Sequence, residues 1–297
     1  MNMKIYFIAI LLFFKVSLTF SQTIRVCDEE DKKPIPYVTA ILTIQNRIVG
    51  GDYCDSNGFV KIDDKILFDK IELSCIGYES KAIEKGTLKN DTIFLKKKVI
   101  NLDEVIISKN NLATSLLGYT DLKKYQYIGI GKGLETVVFI ENNAKKPLYI
   151  SSFLFKVRKL KKKTAIRIHF YKNRLEKFEP GEEILTEDIV EYLDENTQGL
   201  VEIKIAKYGL ELPIEGSFVG IEALGVFDNI TKTYVDTRMF EEDLGLEYNT
   251  KIDKSITFLR NRFRVKIWGD QNEGIRRAMP SFKKFLNLSF GIKVYNE

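Results

Sequence analysis

Short apolar runs separated by turn residues fill the first third of the sequence, from residue 23 to 108. The runs "TIRVC", "YVTAILTI", "GFVKI", "KIELSCIGY" and "DTIFLKK" are rich in Val, Ile, Phe or Tyr, and often alternate apolar with polar positions. Runs of this kind are typical of β-strands. Because no helix-period segment lies between them, they predict an antiparallel β-sandwich that ends with "LDEVIIS" at residues 102–108.

The pattern changes after residue 108. Residues 109–127 open polar and contain one short helix-compatible patch at 112–117, which predicts a linker. Strand-like runs resume at residue 128, and the most helix-like piece among them is "TEDIVEYLD", with Thr186 in the position of a cap. The sequence therefore predicts a mainly β chain. A transthyretin-like antiparallel β-sandwich (22–108) is followed by a second β-rich domain, sandwich or jelly-roll-like (128–297).

The first 21 residues have the layout of a secretory signal peptide. Lys4 gives a basic start, Ile5 to Phe14 is apolar, and Thr19 and Ser21 are small residues before the expected cut. The apolar run is shorter than the roughly 20 residues of a membrane-spanning helix, and no later segment is long and apolar enough to span. We therefore expect an exported chain without a transmembrane helix, located in the periplasm, at the outer membrane, on the cell surface or outside the cell.

Charge narrows the range of partners. The chain has 46 basic and 41 acidic residues, a formal net charge of +5, which does not favour nucleic acid as the partner of an exported protein. The basic stretch "KLKKK" at residues 159–163 could contact anionic lipid or sugar. A solvated edge strand protected by lysines is the more common meaning of such a stretch.

Three cysteines, Cys27, Cys54 and Cys75, all lie in the first third. An oxidising compartment would allow one disulfide and leave one thiol. The alternation of Ile71, Leu73 and Cys75 places Cys75 on the apolar face of a strand, where it would act as a small buried hydrophobic residue. A bridge, if one forms, is expected between Cys27 and Cys54, although the pairing stays open at this point.

Five blocks of the first domain share their order and spacing with a known family. They are "VCD" (26–28), "PIPYV" (34–38), "DSNGF" (55–59), "LSCIGY" (73–78) and "LDEVII" (102–107). Together these residues resemble the carboxypeptidase regulatory-like domain, a transthyretin-like β-sandwich, over roughly residues 23 to 108.

The resemblance implies a cell-envelope protein of the bacteroidete type. It implies no activity, because the sandwich is an appendage of those peptidases without catalytic residues. Two departures, Ile24 in place of a usual glycine and Cys54 in place of a threonine, concern a strand edge and a turn. The second half looks like the companion β domain of uncharacterised two-domain envelope proteins.

Candidate catalytic residues are few. The single histidine, His169, lies within "IRIHFYK". A zinc hydrolase commonly uses two histidines among about three protein ligands, and Ser-His or Cys-His mechanisms need a positioned base. A lone strand histidine favours a half-buried structural residue. The glycines of "GIGKG" (129–133) lack the full dinucleotide spacing and are followed by a strand pattern, so we interpret them as a bend.

The segment "YCDSNGF" resembles part of a calcium loop but departs from it at two positions. Tyr53 stands where the first acidic ligand belongs, and Asp64 stands where a bidentate glutamate is expected. Asp55 to Gly58 fits a type I turn instead, with Asp first and Gly fourth. We predict a turn and assign no metal site.

Acidic and aromatic residues of the second domain leave two functions open. The acid pairs Glu182-Glu183 and Glu187-Asp188 are more typical of solvated turns than of a glycosidase. Aromatic residues in strands more often fill a core than bind sugar. Trp268, followed by the polar "GDQN", is the aromatic residue with the most exposed surroundings and our tentative ligand surface.

These observations favour a non-enzymatic exported envelope protein with a binding or scaffolding role, without an assigned catalytic residue, cofactor or metal. The alternative is a carbohydrate-binding or carbohydrate-cleaving accessory protein that acts through the second domain. An envelope protein or a glycan is the expected partner. The ligand, the oligomeric state and glycosylation stay open.

Overall fold

The computed structural model describes residues 22–88, 92–98, 113–121, 126–174, 176–236 and 242–296. The expected signal peptide and the predicted strand at 102–108 lie outside the described residues. Within those ranges, no helix combines the length and the apolar composition needed to cross a membrane. The architecture is mainly β, as predicted.

Two sheets form the first domain. Its strands are β1 (Gln22–Asp28), β2 (Thr39–Ile44), β3 (Arg47–Tyr53), β4 (Phe59–Ile62), β5 (Lys70–Ser74), β6 (Lys81–Glu84) and β7 (Thr92–Leu95), with a 3-10 turn at Lys85–Thr87. The strand orders are β4-β1-β7 and β3-β2-β5-β6. The pairings are antiparallel except for β1 with β7, which is parallel.

Alternation along the strands builds the core of this sandwich. Ile24 and Val26 of β1 face Ile71 and Leu73 of β5, and all four side chains are fully buried. Successive side chains in a strand point to opposite faces, so every second residue enters the core. The predicted sandwich is therefore confirmed, with one parallel pair added.

The second domain is larger. Its elements are β8 (Thr114–Gly118), β9 (Tyr127–Ile130), β10 (Leu134–Ile140), β11 (Leu148–Val157), β12 (Thr164–Asn173), β13 (Pro180–Glu183), β14 (Ile189–Leu193), β15 (Gly199–Lys204), a 3-10 turn (Ala206–Tyr208), β16 (Glu211–Leu212), β17 (Ser217–Asp228), β18 (Thr233–Val235), β19 (Leu244–Asn249), β20 (Thr257–Asn261), β21 (Gly269–Asp270), α1 (Gln271–Ala278), β22 (Asn287–Leu288) and β23 (Phe290–Tyr295).

Two sheets of this domain enclose a second core. One has the order β13-β12-β17-β10-β20-β21, with β14 also on β12 and β18 also on β17. The other has the order β22-β19-β11-β23-β8, with β15 and β16 on β11 and β9 on β19. Phe153, Phe155 and Phe290 from the second sheet are fully buried with Val219 and Ile221 from the first.

The predicted linker at 109–127 is partly wrong. Strand β8 lies inside it and pairs antiparallel with β23, with Leu117 opposite Ile292. The pairing gives β23 a neighbour on its second side, so the second domain's sheet takes up residues that the sequence pattern assigned to a connection.

The helix-like segment "TEDIVEYLD" is also not a helix. Residues 189–193 form β14, which pairs along β12 and buries Ile189 and Leu193. Sheet pairing and burial outweigh helix propensity here. A helix instead begins after Trp268, where the sequence suggested a polar loop. Asp270 caps α1 by accepting hydrogen bonds from the amides of Asn272 and Glu273.

The segment "DSNGF" forms a turn, as predicted. The Gly58 amide donates to the Asp55 carbonyl at 3.1 Å, and the Asp55 carboxylate accepts from the amides of Asn57 at 2.8 Å and Phe59 at 2.9 Å. Gly58 has a φ of +76°, a conformation that glycine adopts without strain.

An aromatic wedge joins the two domains. A Cβ built on Gly51 of the first domain or on Gly133 of the second would lie 2.5 Å or 2.4 Å from the ring of Phe263. The ring also packs against Tyr53, with centroids 4.9 Å apart. Gly133 has a φ of +82° in the bend before β10, which agrees with the interpretation of "GIGKG". Both glycines therefore make room for the wedge.

Candidate functional site

Four adjacent strands of the second domain place a row of charged side chains side by side. The register sets Arg167 of β12 opposite Glu222 of β17, and Glu222 opposite Glu135 of β10. Glu135 is in turn opposite Arg260 of β20. Neighbouring strands lie about 4.8 Å apart, so the row brings two carboxylates and two guanidinium groups together. Glu135 and Glu222 are fully buried.

His169 follows two residues after Arg167 and therefore lies on the same face of β12. The residue opposite it is Gly220, which has no side chain, and the imidazole reaches carboxylates on both sides. Its Nδ1 is 2.6 Å from an oxygen of Glu183, and its Nε2 is 3.1 Å from an oxygen of Glu222. Only 2% of His169 is exposed, so the side chain is fully buried rather than half-buried as predicted.

Further charged groups complete what we call the charge cluster. Asp188 binds the guanidinium of Arg167 through both oxygens, at 2.7 and 3.0 Å. Arg262, just after β20, lies 3.4 Å from Glu222. The charge cluster consists of Glu135, Arg167, His169, Glu183, Asp188, Glu222, Arg260 and Arg262. It contains as many basic as acidic residues.

Mutual interaction fixes the protonation of these groups. Burial alone would lower the pKa of His169, but the charges of Glu135 and Glu183 and hydrogen bonds to carboxylates raise it to about 10. Burial alone would raise the pKa of Glu222, but the charges of Arg167 and Arg262 hold it well below its usual range. The pKa of Glu135 is likewise lowered by nearby cations. At neutral pH His169 is therefore a cation, and Glu222 and Glu135 are carboxylates.

The first domain closes over this cluster. The Tyr53 hydroxyl donates to Glu222 at 2.6 Å. Arg167 donates to the backbone carbonyl of Tyr37 at 2.5 Å and to the hydroxyl of Thr39 at 3.4 Å. The cluster thus lies at the boundary between the two domains, and groups from both form hydrogen bonds with it.

Glu135, His169 and Glu222 are the residues whose geometry comes nearest to a metal site. One ligand atom from each lies within 4.8 Å of the others. However, a metal-bound histidine must offer an unprotonated nitrogen, and both nitrogens of His169 face carboxylates. Guanidinium groups already bind the two glutamates. The donor set fits an internally neutralised ion-pair network better than a metal centre.

A cleft opens beside the charge cluster, between the two domains. It has a volume of about 570 Å³. The second domain contributes cluster residues, Tyr171 and the segment 184–186, and the first domain contributes Thr39, Ser74–Gly77, Ser80 and Lys98. We call this space the interdomain cleft. Its walls need both domains, so neither half of the sequence could reveal it alone.

Cys75 lines the interdomain cleft but is not an activated nucleophile. It follows the last residue of β5 and is half-buried. Burial and the negative charge of Asp188 raise the pKa of its thiol to about 12, so the thiol is protonated at neutral pH. Among the described residues Cys27, Cys54 and Cys75 are all free, and the expected Cys27–Cys54 bridge is not formed.

Trp268, the tentative ligand surface, lies next to the cleft wall. Its ring is half-buried, packs edge-on against Tyr171 and lies 4.2 Å from the guanidinium carbon of Arg260. Both neighbours line the cleft. Trp268 therefore supports Arg260 through a cation–π contact.

Two other sequence interpretations change. The basic stretch at 159–163 is a connection between β11 and β12 rather than an edge strand, and Lys162 pairs with Glu242 at 2.9 Å. The acid pairs interpreted as solvated turns each supply one member of the charge cluster, Glu183 and Asp188.

A local signal for the cluster does exist in the sequence. Charged residues interrupt otherwise apolar strands in "LETVVFI", "IRIHFYK", "GIEALG" and "TFLRNRF". A charge within an apolar strand is almost never buried alone, so each such residue calls for a partner. The pattern does not say which strands are neighbours, and the sheet order supplies that.

Comparisons with known proteins add little to this geometry. No family model and no curated protein sequence matches the chain. Two solved structures of the clostridial cysteine protease Cwp84 align with 93% of it. One, taken after propeptide cleavage, has a TM-score of 0.40 and 12% identity over 71% of its own chain. The other, the cysteine protease and lectin-like domains of this surface layer associated protein of Clostridium difficile, has a TM-score of 0.38 and 10% identity over 63%.

Proposed function

We propose that this chain is a non-enzymatic exported cell-envelope protein that binds its ligand in the interdomain cleft. The observation that carries the proposal is the cleft itself, which is lined by both domains and walled by the charge cluster. Concave sites between domains are preferred places for ligands. Export is part of the proposal and is supported by the signal-peptide pattern of residues 1–21.

The state of the ionisable groups favours binding over catalysis. A general base needs a pKa near the working pH and an unprotonated form, whereas His169 is held as a cation between carboxylates. Glu135 and Glu222 are ion-paired and fully buried. The Cys75 thiol is protonated. These groups are arranged to hold a fixed charge pattern, which suits recognition.

We further propose that the first domain is a carboxypeptidase regulatory-like domain. The five sequence blocks support this, together with the sandwich of sheets β4-β1-β7 and β3-β2-β5-β6. In this view the first domain has no activity of its own. It supplies one wall of the cleft.

Blocking the cleft tests the proposed function. Ser80 is exposed, lines the cleft and is not part of the charge cluster. In cosedimentation with envelope polysaccharide and outer-membrane fractions, we expect the chain from residue 22 to bind and Ser80→Trp to bind at least about tenfold less. Ser56→Trp, in an exposed turn of the same domain, is the matched control and should bind normally.

Two results would contradict the proposal. One is equal binding by both tryptophan variants. The other is hydrolysis of glycan or peptide substrates by the purified chain that disappears in His169→Gln, because turnover dependent on this residue would show an enzyme.

A further inference from the structure

The interdomain cleft extends beyond the space next to His169. A second hollow of about 340 Å³ adjoins it and shares Ser74, Ser80, Arg260 and Arg262 with it. Its floor is the outer face of the first domain's sheet β3-β2-β5-β6, where Ile41, Glu72 and Ala82 are cross-strand neighbours. The two hollows together form an elongated groove, which suits a chain-like ligand with more than one contact point.

The groove is positively charged. The four cations of the charge cluster line it, and three lysines add to them: Lys81, Lys98 and Lys266. Among the described lining residues the acids are Glu72 and Glu183. With the three acids behind the wall, the four cations of the charge cluster are matched by four acids, and Lys266 pairs with Glu72 at 2.8 Å. Lys81 and Lys98 therefore provide the excess positive charge of the groove, which attracts ligands of the opposite sign.

One guanidinium on the wall is incompletely satisfied. The Nε of Arg262 is buried and has no hydrogen-bond partner among the described residues, although Glu222 lies 3.4 Å away. Arginine donors are suited to planar oxyanions such as carboxylate and sulfate. Arg262 lines both hollows, so an anionic group in the groove would lie beside its guanidinium.

The groove offers side chains rather than backbone to a ligand. Its floor is formed by β2 and β5, which both lie inside the sheet and pair with strands on each side, and by the start of the edge strand β6. An extended peptide usually binds through unpaired main-chain groups at a sheet edge, and in this groove only β6 has such an edge. Hydroxyl groups of Thr39, Ser74, Ser80 and Thr186 line the groove instead.

We propose that this groove binds an acidic oligosaccharide, a sugar chain that carries carboxylate or sulfate groups. Arg260, Arg262 and the lysines pair with the oxyanions, and the serine and threonine hydroxyls bond to the sugar hydroxyls. The inference rests on the proposed function, because it names the ligand class of the same cleft.

Isothermal titration of the chain from residue 22 tests the ligand class. The probes are an oligogalacturonate, a sulfated oligosaccharide, a neutral oligosaccharide of equal length and a glutamate-rich peptide. We expect at least one acidic sugar to bind, with an affinity that falls as salt rises. The sugar that binds better identifies carboxylate or sulfate as the recognised group.

Charge variants at the rim test the groove itself. The double variant Lys81→Gln/Lys98→Gln removes two exposed groove lysines, and we expect binding to weaken by about three- to tenfold. Lys61→Gln/Lys65→Gln changes the net charge equally at exposed positions of the same domain outside the groove. This control should bind as the wild type does.

Several outcomes would overturn the inference. They are equal affinity for the neutral sugar, tighter binding of the acidic peptide, an equal loss in both lysine variants, or binding of none of the probes. If no probe binds while envelope fractions still cosediment with the wild type and not with Ser80→Trp, the ligand class is wrong and the proposed function stands. If cosedimentation also fails, both are wrong.

Discussion

Two polar regions of this chain contrast in what their sequences suggest and in what their side chains do. The segment "DSNGF" looks like part of a calcium loop, yet the Asp55 carboxylate accepts hydrogen bonds from two amides of its own turn. The segment "IRIHFYK" looks like an ordinary strand, yet Arg167 and His169 meet carboxylates from β17, from β13 and from the segment before β14.

The distance along the chain between a side chain and its partners decides whether a local sequence pattern reveals the role of that side chain. Spacing along the chain describes a turn well, because the partners of Asp55 are two and four residues away. The partners of Arg167 are 21 and 55 residues away along the chain, and others belong to the first domain. A site whose residues come from several strands therefore has no local sequence motif. Deep burial of those residues does not create one.

The largest effect is expected from Arg167→Met. The substitution leaves Glu222 without its closest cation and Asp188 without its bidentate partner. Breaking a buried ion pair on one side typically costs about 3–5 kcal/mol, so urea unfolding should show a loss of that order. Arg174→Met is the control, since Arg174 is exposed and its partner Glu179 keeps Lys177; its cost should stay below about 1 kcal/mol. Equal losses would contradict the special role of the cluster.

A pH-dependent effect follows for His169. Its pKa in the folded protein is about 10, above the ordinary 6.5, so the folded state keeps a proton that the unfolded chain releases. The stabilisation is fully present below about pH 6.5 and is lost as pH rises through about 10, by at most about 1.4 kcal/mol per pH unit. Unfolding at pH 7, 8 and 9 measures it.

The matched variant is His169→Gln, which cannot titrate. Its free energy of unfolding is expected to be lower than that of the wild type at pH 7, and the gap should narrow toward pH 9. Parallel pH curves for the two proteins would show that His169 is not held as a cation.

A smaller effect is expected at the turn. Asp55→Ala removes the acceptor of two amides near the surface, and the loss should be about 1 kcal/mol. Asp64→Ala changes the exposed residue that would be the last calcium ligand and should stay within about 0.5 kcal/mol. A similar loss in both variants would argue against the turn as the source.

The smallest effect is expected from calcium. The Asp55 carboxylate is already hydrogen-bonded to its own turn, and Tyr53 is buried. We therefore expect calcium to leave the melting temperature unchanged at about 1 mM, the concentration range in which extracellular calcium modules bind the ion. Magnesium at the same ionic strength is the control. A rise in melting temperature with calcium alone would reinstate the metal interpretation.

Much of the fold could be predicted from the sequence. The mainly β class, the sandwich of the first domain and the Asp55 turn follow from alternation and turn chemistry. The misses have a common cause. Residues 189–193 and 114–118 have local patterns that fit a helix or a linker, and each forms a strand because it pairs with the open edge of a neighbouring strand.

The site could not be predicted to the same degree. The sequence shows the residue types and singles out His169. Whether His169 carries a charge depends on the carboxylates beside it, and these depend on the register of β12 against β17. Nothing local fixes that register, since Glu222 lies 53 residues beyond His169. The part of the site from the first domain depends in addition on how the domains pack.

Phe263 has a mechanical consequence. Its ring is part of the second domain and packs against Gly51 and Tyr53 of the first, so these contacts would have to break before the domains could turn against each other. The packing of this ring therefore opposes hinge motion between the domains and favours a pre-formed cleft. Such a pre-formed site loses little ordering entropy on binding, and it selects its ligand by width and charge rather than by closing around it.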